Sequence, residues 1–237
     1  MSKRRDKLPR TSSSGEVDAF LRKVAATPLT RPGRLRGRLV FAMDATASRE
    51  PTWDRASHIQ AEMFEETAAL GGLDVQLCYY RGFREFDASA WFERPADLHR
   101  YMRGVGCVAG MTQIARVLRH VIAETDRQRV NALVFVGDCM EEDIDELCGL
   151  AGELGLRGLP AFVFQEGYDR IAERAFRQIA QLTRGAYCRF DASSAQQLKD
   201  LLSAVAVYAA GGRRALEHFG RRRGGAVRQL THQMNKG

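Results

Sequence analysis

Short, wholly apolar runs alternate along this chain with longer segments of helical spacing, and that alternation constrains the fold more than any other feature. Residues 39–43 (LVFAM) and 132–136 (ALVFV) are apolar in both alternation phases. A strand of that kind is stable only when both of its faces are covered. Residues 73–80, 159–164 and 186–190 read as further strands, and 83–86, past Gly82, as a short edge strand folding back. Between them, residues 54–70, 114–122, 144–154, 170–182 and 195–209 carry apolar positions at helical spacing, with Gly155 as a stop. The expectation is an α/β fold: a doubly wound, mainly parallel sheet with helices on both faces and one antiparallel edge strand.

The formal net charge of +7 hides an uneven distribution. Residues 1–38 carry eleven Lys/Arg against three acids, and residues 213–237 carry seven against one. The body, 39–212, is acidic, with 18 Lys/Arg against 25 Asp/Glu. The segment TPLTRPGRLRGR reads as a linker and residues 17–25 as a short helix. The organisation expected is a basic, partly disordered N-terminal extension (1–36), a folded domain (37–210) and a basic C-terminal tail (211–237). Basic ends of this kind either solubilise the chain or bind nucleic acid, acidic partners or anionic lipid.

No apolar run approaches the ~20 residues that span a bilayer, and the N-terminus lacks an apolar secretory core. Five cysteines form no CxxC pair, which points to buried reduced thiols in a reducing, cytoplasmic setting. The histidines form no HExxH, and neither GxxxxGK[ST] nor GxSxG occurs. A zinc protease, a P-loop NTPase and a serine hydrolase are therefore disfavoured.

Oxygen-bearing side chains gather at the ends of the apolar runs. Asp44, Thr46 and Ser48 follow 39–43, Thr112 precedes the helix at 114, and Asp138 follows 132–136. In a parallel sheet, the carboxyl ends of neighbouring strands share one crevice where ligands bind. Two carboxylates with three hydroxyls suit Mg²⁺ or Mn²⁺, with Ca²⁺ next, better than Zn²⁺ or copper. Taken singly, Asp44 or Thr112 would read as a helix N-cap and Ser48 as a turn residue.

The order strand–DxTxS–helix, loop threonine, strand–Gly–Asp resembles the von Willebrand factor A (VWA) family and its metal-ion-dependent adhesion site, over roughly residues 37–210. Thr46 stands where serine is commoner, and Gly137-Asp138-Cys139 replaces the common Thr-Asp-Gly. The resemblance implies a Rossmann-like fold. It further implies direct metal contact by Thr46 and Ser48, with Thr112 joining when a ligand is bound. Asp44 and Asp138 would then act directly or through water. It also implies a non-enzymatic protein–protein interaction module whose ion accepts an Asp or Glu of a partner. Intracellular bacterial members serve as adaptors to AAA+ ATPases or other multi-protein machines.

Arg49, Trp53, Glu141 and Glu142 are expected at the rim of this site. The aromatic and arginine-rich stretch YYRGFREFDASAWFERP adds Arg81, Arg84 and Trp91 as candidate contacts, with core packing of an edge hairpin as its structural reading. Two other functions remain open: a nucleic-acid-associated protein acting through its basic tails, and a metal-dependent phosphoester hydrolase. A haloacid-dehalogenase-like phosphatase also begins with Asp after its first strand, but Thr46 stands where that chemistry needs a second Asp.

Overall fold

A computed structural model of the chain describes residues 14–26, 36–50, 72–190 and 195–222. Helix α1 (Ser14–Ala26) precedes β1 (Gly37–Asp44), whose eight residues are all buried. A single 3₁₀ turn (Ala47–Arg49) follows. Then come β2 (Leu73–Arg81), β3 (Glu85–Phe92), α2 (Pro95–Arg103) and α3 (Ile114–Arg127). The second half alternates: β4 (Ala132–Gly137), α4 (Ile144–Leu156), β5 (Ala161–Glu166), α5 (Arg170–Leu182), β6 (Ala186–Phe190) and α6 (Ala195–Arg222). The helix expected over 54–70 lies outside the described residues.

The six strands form one sheet in the order β3-β2-β1-β4-β5-β6. Only β3 is antiparallel, paired to β2 at the edge; β1 runs parallel to both β2 and β4. Strand alternation divides the core in two. Leu39, Phe41 and Met43 face α1, α2 and α6, while Val40 and Ala42 face α3, α4 and α5. This is why the runs at 39–43 and 132–136 are apolar in both phases: each phase fills a different layer.

Helix α2 went unread in the sequence because it offers so few apolar positions. Leu98 and Met102, spaced i, i+4, are its buried residues, with Pro95 setting the first turn. The edge strand is longer than expected. Its exposed face carries Glu85, Asp87 and Ala90, which masks the strand pattern.

The packed unit also reaches beyond 37–210. Phe20, Leu21 and Val24 of α1 are buried in the core, with Phe20 tilted against Phe164 at 5.3 Å and edge-on to Phe162 at 6.1 Å. Helix α6 continues past 210, burying Ala215 and Phe219. Both segments pack on the face of the sheet that carries Phe162 and Phe164, where Tyr208 of α6 also meets Phe162 edge-on at 6.0 Å. Gly37 permits the approach of α6, since a Cβ there would overlap the Ala209 backbone. Phe20→Ala is expected to lower stability by about 3–5 kcal/mol, read from urea denaturation. A loss under ~1 kcal/mol would place α1 outside the cooperative unit.

Candidate metal centre

The site forms where β1 and β4 end side by side. Asp44, the last residue of β1, is fully buried, and its carboxylate is held at both oxygens. The Thr46 N–H donates to Oδ1 at 2.7 Å, and the Tyr80 hydroxyl donates to Oδ2 at 3.0 Å. Burial pushes Asp44 above the usual carboxylate range, opposed by its hydrogen bonds from Thr46. Burial also raises the Tyr80 phenol well above its ordinary value, so it stays a donor. Tyr80 had no sequence signal, because a tyrosine ending a strand is ordinary; only the β1–β2 register sets it beside Asp44.

After Asp44 the chain extends at Thr46 (φ −71°, ψ 162°) and turns immediately, closed by the Arg49 N–H to Thr46 carbonyl bond at 3.0 Å. The turn brings the Thr46 and Ser48 hydroxyl oxygens to 3.1 Å, with Ser48 exposed and Thr46 buried. Two hydroxyls stacked at this spacing can face one ion.

Asp138 follows β4. Its Oδ1 is shielded from solvent and has no hydrogen-bond partner among the described residues. An orphaned buried carboxylate oxygen is costly, and a bound cation is one of the few things that satisfies it. Ligand atoms of Asp44, Asp138 and Cys139 all lie within 4.8 Å of one another. The donor set therefore fits a divalent ion. Cys139 was not read as a site residue, because a half-buried thiol after a strand resembles core packing.

Thr112 sits in the loop joining α2 to α3 and is buried. It exchanges two bonds with Glu141: its N–H donates to the carboxylate at 3.1 Å, and its hydroxyl accepts from the Glu141 N–H at 3.0 Å. Glu142 accepts from the N–H groups of Ile114 and Ala115, at 2.5 and 2.8 Å. A carboxylate from one loop thus caps the first turn of α3, where unpaired N–H groups and the helix dipole favour an anion. Val108 N–H donates to the Ala45 carbonyl at 3.0 Å, tying the same loop to β1. Gly110 lies flat against the β2–β3 turn, where a Cβ would overlap the Gly82 carbonyl.

The expected rim divides on inspection. Glu141 and Glu142 act as braces between loops. Arg49 does not lie on the rim: it is 1% exposed and ion-paired with Glu166, the last residue of β5. Burial pulls its guanidinium below its ordinary value, and the Asp138 and Asp44 carboxylates oppose that shift. The 3₁₀ turn points Arg49 inward, where it neutralises charge that the sheet has desolvated. Arg81 and Arg84 stand on the outer flank. Arg81 donates to Glu85 at 2.9 Å and to the Gly106 carbonyl at 2.6 Å. Arg84, at φ 62°, lays its guanidinium over Phe83 at 5.4 Å.

Trp91 is not at the site. It pairs with Gln76, four residues before Tyr80 on β2, hence about 13 Å down the sheet. There its indole N–H donates to Glu124 at 3.0 Å and Arg38 stacks on its ring at 3.7 Å. Its role is packing of the edge strand. Trp53 lies outside the described residues. The structure also exposes a cluster that went unread: Phe83 (81% exposed), Val108 (41%) and Met111 (58%), on two segments joined by the Gly82 N–H to Val108 carbonyl bond.

Comparison with known structures decides the fold. The VWA-type protein from Catenulispora acidiphila aligns with TM-score 0.58 over 72% of this chain and 43% of its own, at 14% identity. The chain has the von Willebrand factor A fold. The SpRpn10 VWA domain aligns with TM-score 0.55 at 11% identity, over 75% of this chain and 98% of its own. The mussel byssus protein PTMP1, solved with a zinc-occupied MIDAS motif, aligns with TM-score 0.55 at 14% identity, over 76% of this chain and 46% of its own. The chain thus spans less than half the length of the first and last of these. No family model and no curated protein matches it in sequence.

Two outcomes follow from the braces and the buried cation. Arg49→Met is expected to cost on the order of 3 kcal/mol, with part of the loss recovered by added Mn²⁺; a denaturation midpoint unmoved by metal would contradict this. Glu142→Ala should cost about 1–2 kcal/mol and accelerate amide exchange at residues 112–115 ahead of the β4 amides.

Proposed function

We propose that this chain is a metal-dependent protein-interaction module that captures an acidic group of a partner protein. The observation carrying this reading is the orphaned Asp138 Oδ1 beside buried Asp44 at the crest of a VWA fold. The hydroxyls of Thr46 and Ser48 would hold the ion, with Asp44 and Asp138 acting directly or through water and Thr112 joining when a ligand is bound. For these oxygen donors alone, Mg²⁺ or Mn²⁺ is the natural occupant. The ion supplies an open coordination position for an incoming Asp or Glu. PTMP1 holding zinc at its MIDAS motif supports uptake of a divalent ion by this part of the fold.

The charge around the crest favours metal dependence. Among the described residues, Asp44, Asp138, Glu141, Glu142 and Glu166 gather there around the buried guanidinium of Arg49. A partner's carboxylate would be repelled by this end of the sheet without a cation. Beside it, Phe83, Val108 and Met111 present apolar surface, with Arg81 and Arg84 as positive flank. A partner segment bearing one acidic anchor and neighbouring apolar side chains fits this surface. Service as an adaptor within a multi-protein machine such as an AAA+ ATPase, in the cytoplasm, is in keeping with the motif. No helix among the described residues is long and apolar enough to cross a membrane. The nucleic-acid alternative rests on the basic termini, most of which lie outside the described residues.

Calorimetric titration of Mg²⁺ and Mn²⁺ into chelator-stripped protein is expected to show one saturable site, lost in Asp138→Ala. Partner capture should fail in EDTA and in the same variant, and weaken in Phe83→Ser/Met111→Ser with metal uptake intact. Folded wild-type protein that binds no divalent ion, even at millimolar concentration, sinks this reading.

A further inference from the structure

Cys139 stands where the family's common pattern has glycine, and it brings a sulfur into a site whose motif is made of oxygen donors. Its Sγ belongs to the same cluster as ligand atoms of Asp44 and Asp138, all mutually within 4.8 Å. Small closure of three such groups reaches the bond lengths of a first-row metal, about 2.0–2.3 Å for carboxylate oxygen and thiolate sulfur on zinc. The chain leaves β4 at Gly137 and bends at Asp138, and the bend leaves the Asp138 and Cys139 ligand atoms close enough to share one cluster with Asp44. Asp138 Oδ1 has no hydrogen-bond partner among the described residues, so one oxygen of the cluster is left to take a ligand.

The remaining cysteines have other places. Cys78 and Cys188 are buried in the two core layers, Cys148 bonds to Gln178 on α5, and Cys107 is in the α2–α3 loop. None of them joins a metal-ligating cluster among the described residues.

We propose that Cys139 is a direct ligand of the bound ion, so that this site selects a thiophilic divalent metal, Zn²⁺ ahead of Mg²⁺, with Asp44 and Asp138 as its oxygen ligands. This rests on the reading that the crest takes up a divalent cation. Mg²⁺ demands near-octahedral oxygen coordination and gains little from sulfur. Zn²⁺ accepts mixed sulfur and carboxylate sets, and with three protein ligands it keeps a fourth position open. That fourth position is where a partner's carboxylate would enter. On binding, the Cys139 thiol gives its proton to solvent and the thiolate pair forms the metal–sulfur bond, so uptake releases one proton and involves no redox change.

Cd²⁺ is the probe, because a cadmium–thiolate bond gives an ultraviolet charge-transfer band that oxygen ligation lacks. The full chain, stripped of metal and kept reduced, is titrated with Cd²⁺, then with Zn²⁺, Mg²⁺ and Mn²⁺ by calorimetry, as wild type, Cys139→Ser and Cys139→Asp. The wild type is expected to show the band at one equivalent and Cys139→Ser to lack it. Zn²⁺ affinity should fall more than about tenfold in Cys139→Ser, at least the loss seen when a supporting ligand contact is removed, while Mn²⁺ affinity changes less than about threefold. Cys139→Asp restores an oxygen ligand and should favour Mn²⁺, which guards against a serine variant that merely misfolds. A band that persists in Cys139→Ser, or unchanged Zn²⁺ affinity, overturns the assignment. Mn²⁺ binding without any thiolate band overturns it while leaving the interaction module standing. Failure of the folded protein to bind any of the four metals removes both.

Discussion

Burial of β1 on both faces is the constraint on which the rest of the molecule depends. All eight of its residues are buried, and the two phases of its alternation feed different helical layers. A strand so placed cannot end in solvent-facing polar residues within the sheet, so its polar successors cluster at the carboxyl end. Asp44 is the extreme case: a carboxylate carried into a fully buried position by the strand itself. Tyr80 and the Thr46 amide offset part of the desolvation that burial imposes.

The electrostatics of the crest follow from that burial. Two aspartates at neighbouring strand ends need positive charge nearby, and among the described residues Arg49, buried at the site and paired to Glu166, supplies it. Mobile cation uptake at the surface above it is the natural complement, since desolvated charge is tolerated only when compensated. The braces serve a different end. Glu141 and Glu142 reach from the β4 loop to Thr112 and to the first turn of α3, so two loops move as one. A displacement at Asp138 would therefore be felt at the start of α3.

Residues 14–26 and 211–219 show how little composition says about packing. The first lies in an extension that is basic as a whole and the second in a basic tail, yet Phe20, Val24, Ala215 and Phe219 are buried in the core. The basic side chains of an amphipathic helix describe its wet face. Whether its apolar face docks depends on whether the sheet has uncovered area to receive it.

The strand–helix alternation was determined by the sequence alone, because period and run length report burial directly: 39–43 and 132–136 had to be central strands. The order of Asp44, Thr46, Ser48, Thr112 and Asp138 was likewise legible, since each stands beside the end or start of a readable element. Only the tertiary structure decided what surrounds them. It turned Arg49 inward, sent Trp91 down the sheet to Glu124, set Tyr80 against Asp44 and brought Cys139 to the two aspartates. Those placements depend on strand register and on the direction of one-residue turns. Neither leaves a periodic trace in the chain, because each is fixed by contacts between segments far apart in sequence.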